Sequence, residues 1–218
     1  TQQCQDGEAL NLFDRMQKEG FSPDSVTFAS ILRACANICA ISKGKQIHYE
    51  IKKRCLEEDV VISTALMDMY GKCGEVEKAK EVFGELTIRD LACWTTLISG
   101  YAHQRLGEEA LTCFEKMQEE GLFPDPPTFL CVLNACSHSG LVNKGETYFM
   151  DMTSKYGFTP GLPHLNCMVG LFSAAGCFEK ALALIPRGDY HPSHPILLGA
   201  CRKWGNADIG RLVFDRAI

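Results

Sequence analysis

The stretch FSPDSVTFASILRAC, Phe21 to Cys35, returns in outline 101 residues later as LFPDPPTFLCVLNAC, Leu122 to Cys136. When Glu8–Gly44 is aligned with Glu109–Gly145, 17 of 37 positions are identical, far more than chance would give. The shared frame reads E-A-L-x-x-F-x-x-M-Q-x-E-G-x-x-P-D, then T-F, L-x-A-C and K-G. Repetition at a fixed offset is typical of repeat proteins, whose units pack only on their neighbours.

The 101-residue repeat contains smaller units with a common plan. The segment Val60–Phe83 resembles Leu162–Ile185 at an offset of 102, and Leu91–Phe114 follows the same plan. Each consists of two apolar-periodic segments of about 11–13 residues separated by a short polar or glycine-containing joint, a pattern that indicates a helical hairpin. The sequence therefore predicts an all-α fold of stacked helix-turn-helix hairpins with a concave face.

The second helix of each hairpin carries a small residue four positions before a bulky one. This i, i+4 spacing places both on one face, where the small residue allows a neighbouring helix to approach. The pairs are Ala9/Phe13, Gly44/His48, Ala79/Phe83, Ala110/Phe114, Gly145/Phe149 and Ala181/Ile185. We expect Gly20 and Gly121, each followed by Pro-Asp, to end their helices in the left-handed conformation.

Composition limits the classes of function. The chain is 46% hydrophobic and 22% charged, and it has no apolar run long enough to span a membrane. A net charge of −5 does not by itself predict nucleic-acid binding. The twelve cysteines form no C-x-x-C pair, so reduced packing residues in a reducing compartment are favoured over a zinc site or disulfides. The chain begins without Met and shows no secretory signal, as in a fragment that lacks a targeting segment.

Two families of helical repeats have units of this length. The tetratricopeptide repeat has a fixed 34-residue period and a W-x2-L-G-x2-Y pattern, and the chain has neither. The frame LISGYAHQRLGEEALTCFEKMQEEGLFPD instead resembles the pentatricopeptide repeat family of plant organelles. TFASILRACANICAISKGKQIH and VVISTALMDMYGKCGEVEKAKEVF look like the long and short variants of its PLS subclass, and PILLGACRKWGNADIG looks like the start of an E-type extension.

The resemblance implies a right-handed superhelical solenoid and a division of the chain. The array covers 1–190, in units 1–24 (partial), 25–59, 60–90, 91–125, 126–161 and 162–190, and an E-type-like terminal helical hairpin covers 191–218.

The resemblance also implies single-stranded RNA binding, one base per repeat, with the chain running N to C along RNA 5′ to 3′. In the family the fifth and last residues of a repeat select the base, and the second packs against base faces. Thr64 with Asp90, and Thr95 with Asp125, then favour two adjacent guanines. Asn166 favours a pyrimidine further 3′, with Asp189 or Ser193 as its partner.

The long units depart from this code. Neither Ala29, paired with Asp59, nor Leu130, paired with Gly161, can hydrogen-bond a base edge, so these units are expected to space the array or to discriminate weakly. All of the second positions can pack against a base, and they are Val26, Val61, Ala92, Pro127 and Pro163.

Each of these residues could instead have a purely structural role. Thr64, Thr95 and Asn166 could be ordinary polar residues of a first helical turn, and Asp90 and Asp125 could cap the next helix. Lys52–Arg54 could meet phosphates or form a solvated helix end. His48 and Glu50 match the H-x-E of zinc deaminases, but no P-C-x-x-C accompanies them, so coincidence is favoured.

The function expected from the sequence is a sequence-specific, non-enzymatic RNA-binding module without cofactor or metal. The PLS order and the E-like end resemble site-recognition factors for C-to-U editing in the chloroplast or mitochondrion, with a deaminase or organellar editing adaptor proteins as partners. A protein-interaction scaffold and an RNA splicing or stability factor remain alternatives, an RNA endonuclease or deaminase is the weakest, and no membrane association is expected. Monomer and homodimer are both left open.

Overall fold

The protein is all-helical throughout the part that the structure describes. A computed structural model describes residues 2–185 and 192–217, which contain thirteen α-helices and no strand. The predicted all-α fold class is confirmed. The helices are α1 (Gln2–Lys18), α2 (Ser25–Asn37), α3 (Ile41–Lys53), α4 (Val60–Lys72), α5 (Val76–Glu85), α6 (Leu91–His103), α7 (Gly107–Glu119), α8 (Pro126–Ser139), α9 (Val142–Ser154), α10 (Leu162–Ala174), α11 (Phe178–Ala183), α12 (His194–Trp204) and α13 (Ala207–Ala217).

The helices belong to two compact units. The first consists of residues 1–104 and 112–123, and the second of residues 105–111 and 124–218, so α7 contributes to both. We call α2, α4, α6, α8, α10 and α12 the first helices, because each opens a hairpin. The helices that close the hairpins, α3, α5, α7, α9, α11 and α13, together with α1, are the second helices.

In the first unit the first helices run parallel, α2 against α4 and α4 against α6. At their N-terminal ends the Ser25 hydroxyl donates to Asp59 Oδ2 at 2.6 Å. At their C-terminal ends Gln104 Nε2 donates to the carbonyl of Gly71 at 3.0 Å. The second helices lie over this layer, with α3 contacting α2 and α4, and α5 contacting α4 and α6.

The second unit repeats the arrangement. Here α8 packs on α10 and α10 on α12, while α9 contacts both α8 and α10. Near the N-terminal ends of these helices, His164 Nε2 lies 2.9 Å from the carbonyl oxygen of Pro126. The predicted stacking of hairpins therefore holds within each unit.

Small residues on the second helices admit the neighbouring first helix, as the sequence predicted. A β-carbon on Gly44 would lie 2.6 Å from the sulfur of Met69 in α4, and one on Gly145 would lie 2.5 Å from Leu171 in α10. Ala79, Ala110 and Ala181 are fully buried. The helix ends are also as predicted, since Gly20 and Gly121 have φ of +85° and +81°.

Gly71 should be intolerant of any side chain, because α4 and α6 meet at its backbone. A β-carbon there would lie 2.8 Å from the Cα of Gly100, a backbone atom that cannot move aside cheaply. We expect Gly71→Ala to lower the free energy of unfolding by about 1–3 kcal/mol. Gly84→Ala is the matched control, because nothing lies within 4 Å of its β-carbon position. The control should be neutral or stabilising by up to about 1 kcal/mol, and equal urea midpoints for the two variants would contradict the close contact.

His48 should make folding pH-dependent. It occupies the bulky position of α3, its Nδ1 lies 2.8 Å from the Tyr70 hydroxyl, and its Nε2 is buried without a hydrogen-bond partner among the described residues. Burial lowers the pKa of His48 below its usual value, because it disfavours the charged ring. The unfolded chain then binds the proton more tightly, so stability is complete above about pH 6.5 and falls as the pH drops through that value.

The double variant His48→Phe/Tyr70→Phe isolates this contribution. Phenylalanine fills the same bulky position at Phe83 and Phe114, and replacing both partners leaves no unpaired hydroxyl. We expect the free energy of unfolding to fall less between pH 7.5 and pH 5 for the variant than for the wild type. The other five histidines are common to both chains and cancel in the difference. Parallel stability-against-pH curves would show that His48 is not the group responsible.

Candidate nucleic-acid interface

Four aspartates stand at the N-terminal ends of first helices and cap them. In each case a backbone N–H near the start of the helix donates to the Oδ1 atom of the aspartate, at 2.8–2.9 Å. The donor and acceptor residues are Thr27 and Asp24, Val61 and Asp59, Cys93 and Asp90, and Thr128 and Asp125. The structural role weighed for Asp90 and Asp125 is thereby confirmed. Each cap uses one carboxylate oxygen for a helix N–H, a contact worth about 1 kcal/mol.

Thr64 is half-buried at the fifth residue of α4. Its hydroxyl donates within the helix, to the carbonyl of Val60 at 2.7 Å and of Val61 at 3.0 Å. With its proton committed in this way, the Thr64 oxygen is left to accept from an outside donor. Thr95 holds the same position in α6 and is half-buried as well.

Asp90 is exposed at the N-terminal end of α6, the helix that packs against α4. Because its Oδ1 caps α6, its Oδ2 is the oxygen that can accept from a ligand. The N-terminal edge of α4 and α6 thus presents two acceptors, Thr64 Oγ1 and Asp90 Oδ2.

Small apolar side chains recur beside this edge. The second residue of each of five first helices is exposed: Val26 at 70%, Val61 at 56%, and also Ala92, Pro127 and Pro163. Apolar surface repeated at one position gains free energy when a flat ring covers it. Their exposure leaves these side chains accessible to a ligand.

Asn166 has a partner from the next hairpin of the second unit. The Ser193 hydroxyl, at the N-cap position of α12, donates to Asn166 Oδ1 at 2.5 Å. The Asn166 amide nitrogen then remains as the donor. Of the two partners considered for this unit, the structure brings Ser193 to Asn166, and Asp189 lies outside the described residues.

The long units present a different surface. Ala29 is only 7% exposed, and Asp59 Oδ2 already accepts from the Ser25 hydroxyl. This hydrogen bond holds the pKa of the Asp59 carboxyl below its usual value. Leu130 is half-buried and Gly161 exposed, and the Gly161 N–H donates to His164 Nδ1 at 3.2 Å. Sequence reasoning missed Ser25, whose signal is a hydroxyl residue opening a helix 34 positions before an aspartate.

The basic segment Lys52–Arg54 is largely held by the protein itself. Lys52 pairs with Glu85 at 2.9 Å, and Arg54 pairs with Glu50 at 2.5 Å and donates to the Pro23 carbonyl at 3.2 Å. Lys53 alone of the three has no such contact and is exposed. This segment therefore offers few unpaired cations for contacts with phosphates.

The described residues show no deaminase motif in a site, no metal-binding cluster and no membrane-spanning helix. His48, from the deaminase-like H-x-E, is packed inside α3 against Tyr70. Within residues 2–185 and 192–217 no group of three or more His, Cys, Asp or Glu side chains could hold a metal ion. No helix in that part of the chain is long and apolar enough to cross a membrane.

Comparison with known proteins assigns the family. The model of the PPR repeat family matches residues 2–37 and 89–138, and that of the PPR repeat matches 61–91 and 127–156. The chain belongs to the pentatricopeptide repeat family.

Relatives of this chain are longer. A pentatricopeptide repeat-containing protein of Arabidopsis thaliana is 42% identical over 212 residues, 96% of this chain and 31% of its own length. Another from that plant, named as mitochondrial, is 40% identical over 200 residues, 90% of this chain and 22% of its own length. The chain thus spans less than a third of each of these two relatives.

A solved structure shares the pentatricopeptide fold. The pentatricopeptide repeat protein PPR10, in complex with an 18-nucleotide psaJ RNA element, superposes with a TM-score of 0.72 at 22% identity, covering 94% of this chain and 28% of PPR10. The likeness establishes the fold, which is that of a helical-repeat protein.

Substitutions at Asp90 should separate its charge from its capping role. Asn is as good an N-cap as Asp, whereas Ala has no side-chain acceptor. We expect Asp90→Ala to lower the free energy of unfolding by about 1 kcal/mol, and Asp90→Asn to change it by only a few tenths. Urea denaturation measures both. Equal losses for the two variants would mean that the charge, and not the cap, stabilises α6.

Proposed function

We propose that this pentatricopeptide repeat chain is a sequence-specific single-stranded RNA-binding module that reads one base per repeat. In each unit, the reading edge is the row of N-terminal ends of its first helices. The observation that carries the proposal is the pair of acceptors at Thr64 and Asp90, beside exposed Val61. Family membership and the RNA bound in the PPR10 structure support RNA as the ligand.

Two adjacent acceptors select guanine by hydrogen-bond matching. The Watson–Crick edge of guanine carries two neighbouring donors, the ring N1–H and the exocyclic N2–H. The Watson–Crick edges of adenine, cytosine and uracil do not carry two neighbouring donors, because each places an acceptor next to its donor. Thr64 Oγ1 and Asp90 Oδ2 can accept both guanine protons, whereas any other base leaves an acceptor facing an acceptor. In the family pattern Thr95 with Asp125 also favours guanine, so the proposal includes a second, adjacent guanine.

The unit that begins at residue 162 reads a pyrimidine further 3′. Ser193 fixes the oxygen of the Asn166 amide, so that the amide nitrogen donates to a pyrimidine ring or carbonyl acceptor. Pro163, exposed one turn earlier, covers the base face. We assign Ser193, with Asn166, as the selecting pair of this unit.

The biological role follows from the family and from the order of the units. The module selects the site in an organellar transcript, in the chloroplast or mitochondrion, where a deaminase or adaptor protein carries out C-to-U editing. The chain itself supplies recognition and no catalytic group. Splicing or transcript protection would use the same interface, and a protein scaffold would use its shape without base selection.

RNA oligonucleotides test the code directly. At one stated salt concentration, we expect RNA containing GG to bind about tenfold or more tightly than RNA with AA at those positions. In the family pattern asparagine with aspartate favours uracil, so Thr64→Asn should move the preference at one position only from guanine toward uracil. Binding of a panel of single-base variants, by fluorescence anisotropy, measures this shift.

Thr147→Asn is the matched control. Thr147 also bonds the carbonyl four residues earlier, at 3.0 Å, but lies on the second helix α9. This control should leave the base preference unchanged. Equal affinity for all sequences would overturn base reading, and the absence of binding to any RNA would favour the scaffold function.

A further inference from the structure

One contact recurs between successive hairpins. The residue at the C-terminal end of a first helix contacts the turn of the preceding hairpin. The contacted residue in that turn has a left-handed backbone conformation. Ser139 donates to the Arg105 carbonyl at 2.9 Å. A β-carbon added to Gly74 would lie 3.8 Å from Gln104 Nε2. A β-carbon added to Gly176 would lie 3.8 Å from the Trp204 ring.

Between α2 and α4 this contact joins two cysteines. Cys39 is the left-handed residue of the α2–α3 turn, and Cys73 caps the end of α4. The Cys39 thiol points to the Lys72 carbonyl at 3.9 Å, and the Cys73 thiol points to the Cys35 carbonyl at 4.0 Å. The Cys39 sulfur therefore lies against the residue before Cys73, and the Cys73 sulfur lies against the last turn of α2, which leads to Cys39.

The backbone at Cys39 is unfavourable for a side chain. Its φ is +51°, a region that glycine occupies in four of the equivalent turns, at Gly74, Gly140, Gly176 and Gly205. A residue with a β-carbon costs free energy there, and glycine would remove that cost. Cysteine at this position thus lowers local stability relative to glycine.

We propose that Cys39 and Cys73 form a reversible disulfide that locks the hairpin of α2 and α3 to that of α4 and α5. The oxidant is a small-molecule disulfide such as oxidised glutathione. The inference stands independently of the RNA-reading function.

The exchange proceeds in two balanced steps. The exposed Cys39 thiolate attacks one glutathione sulfur, forms a mixed disulfide and releases a glutathione thiolate. The Cys73 thiolate then attacks the Cys39 sulfur and releases the second glutathione. Two cysteine thiols and one oxidised glutathione thus become one protein disulfide and two reduced glutathiones. Burial raises the pKa of the Cys73 thiol to about 11, so little of it is thiolate at neutral pH, and the second, intramolecular step should be faster at alkaline pH.

Peptide mapping tests the pairing. The folded chain is incubated with oxidised glutathione, alkylated and digested with trypsin, which places Cys39 in the peptide 34–43 and Cys73 in the peptide 73–78. We expect these two peptides to be joined, two thiols to be lost, and the thermal midpoint to rise by about 5 °C. Dithiothreitol should reverse all three changes.

Three variants distinguish this pair from its neighbours. Cys39→Gly suits the left-handed backbone, so it should fold at least as well as the wild type and form no linked peptide. Cys35→Ala removes the other cysteine of the peptide 34–43 and should leave the link intact. Cys55→Ser, at an exposed thiol with φ of +54°, should also leave it intact. A link that survives Cys39→Gly, or folded protein that keeps both thiols in oxidised glutathione, would overturn the proposal.

Discussion

The close parallel approach of the first helices is the constraint on which the rest of each unit depends. At α4 and α6 the backbones meet at Gly71 and Gly100, and a β-carbon on Gly71 would lie 2.8 Å from the Cα of Gly100. Within each unit, parallel packing brings the N-terminal ends of the first helices to one edge, because each hairpin returns the chain to the same side. The caps, the exposed second residues and the fifth residues therefore become neighbours, although about 30–35 residues separate equivalent positions.

The same aspartates serve the fold and the proposed interface, and the two roles do not compete. A carboxylate has two oxygens with about four lone-pair sites, and the cap uses one oxygen. The helix N-terminus also favours a negative charge at this position. A repeat can thus place a reading group at a position that the helix would fill with aspartate for its own stability.

Periodicity predicted the hairpins, the small residues of the second helices and the left-handed ends at Gly20 and Gly121, because these depend on local spacing. The polar contacts between hairpins were not predictable in the same way. Ser25 with Asp59 and Cys39 with Cys73 join different repeats, and a sequence pattern does not record which side chains meet across an interface. For Asn166 the sequence offered two partners, and only packing of α12 on α10 brings Ser193 to it.

The first residue of a repeat then influences whether the next aspartate can read. Ser25 opens α2 and donates to Asp59 Oδ2 at 2.6 Å, so a base must displace that hydroxyl before it can reach the carboxylate. Breaking a charge-assisted hydrogen bond offsets much of the gain from a new one. Val60 opens α4 and has no hydroxyl, so Asp90 carries no such competitor. In the proposed reading code, the opening residue would therefore act together with the fifth and last residues, as Ser25 does for Asp59 in unit 25–59.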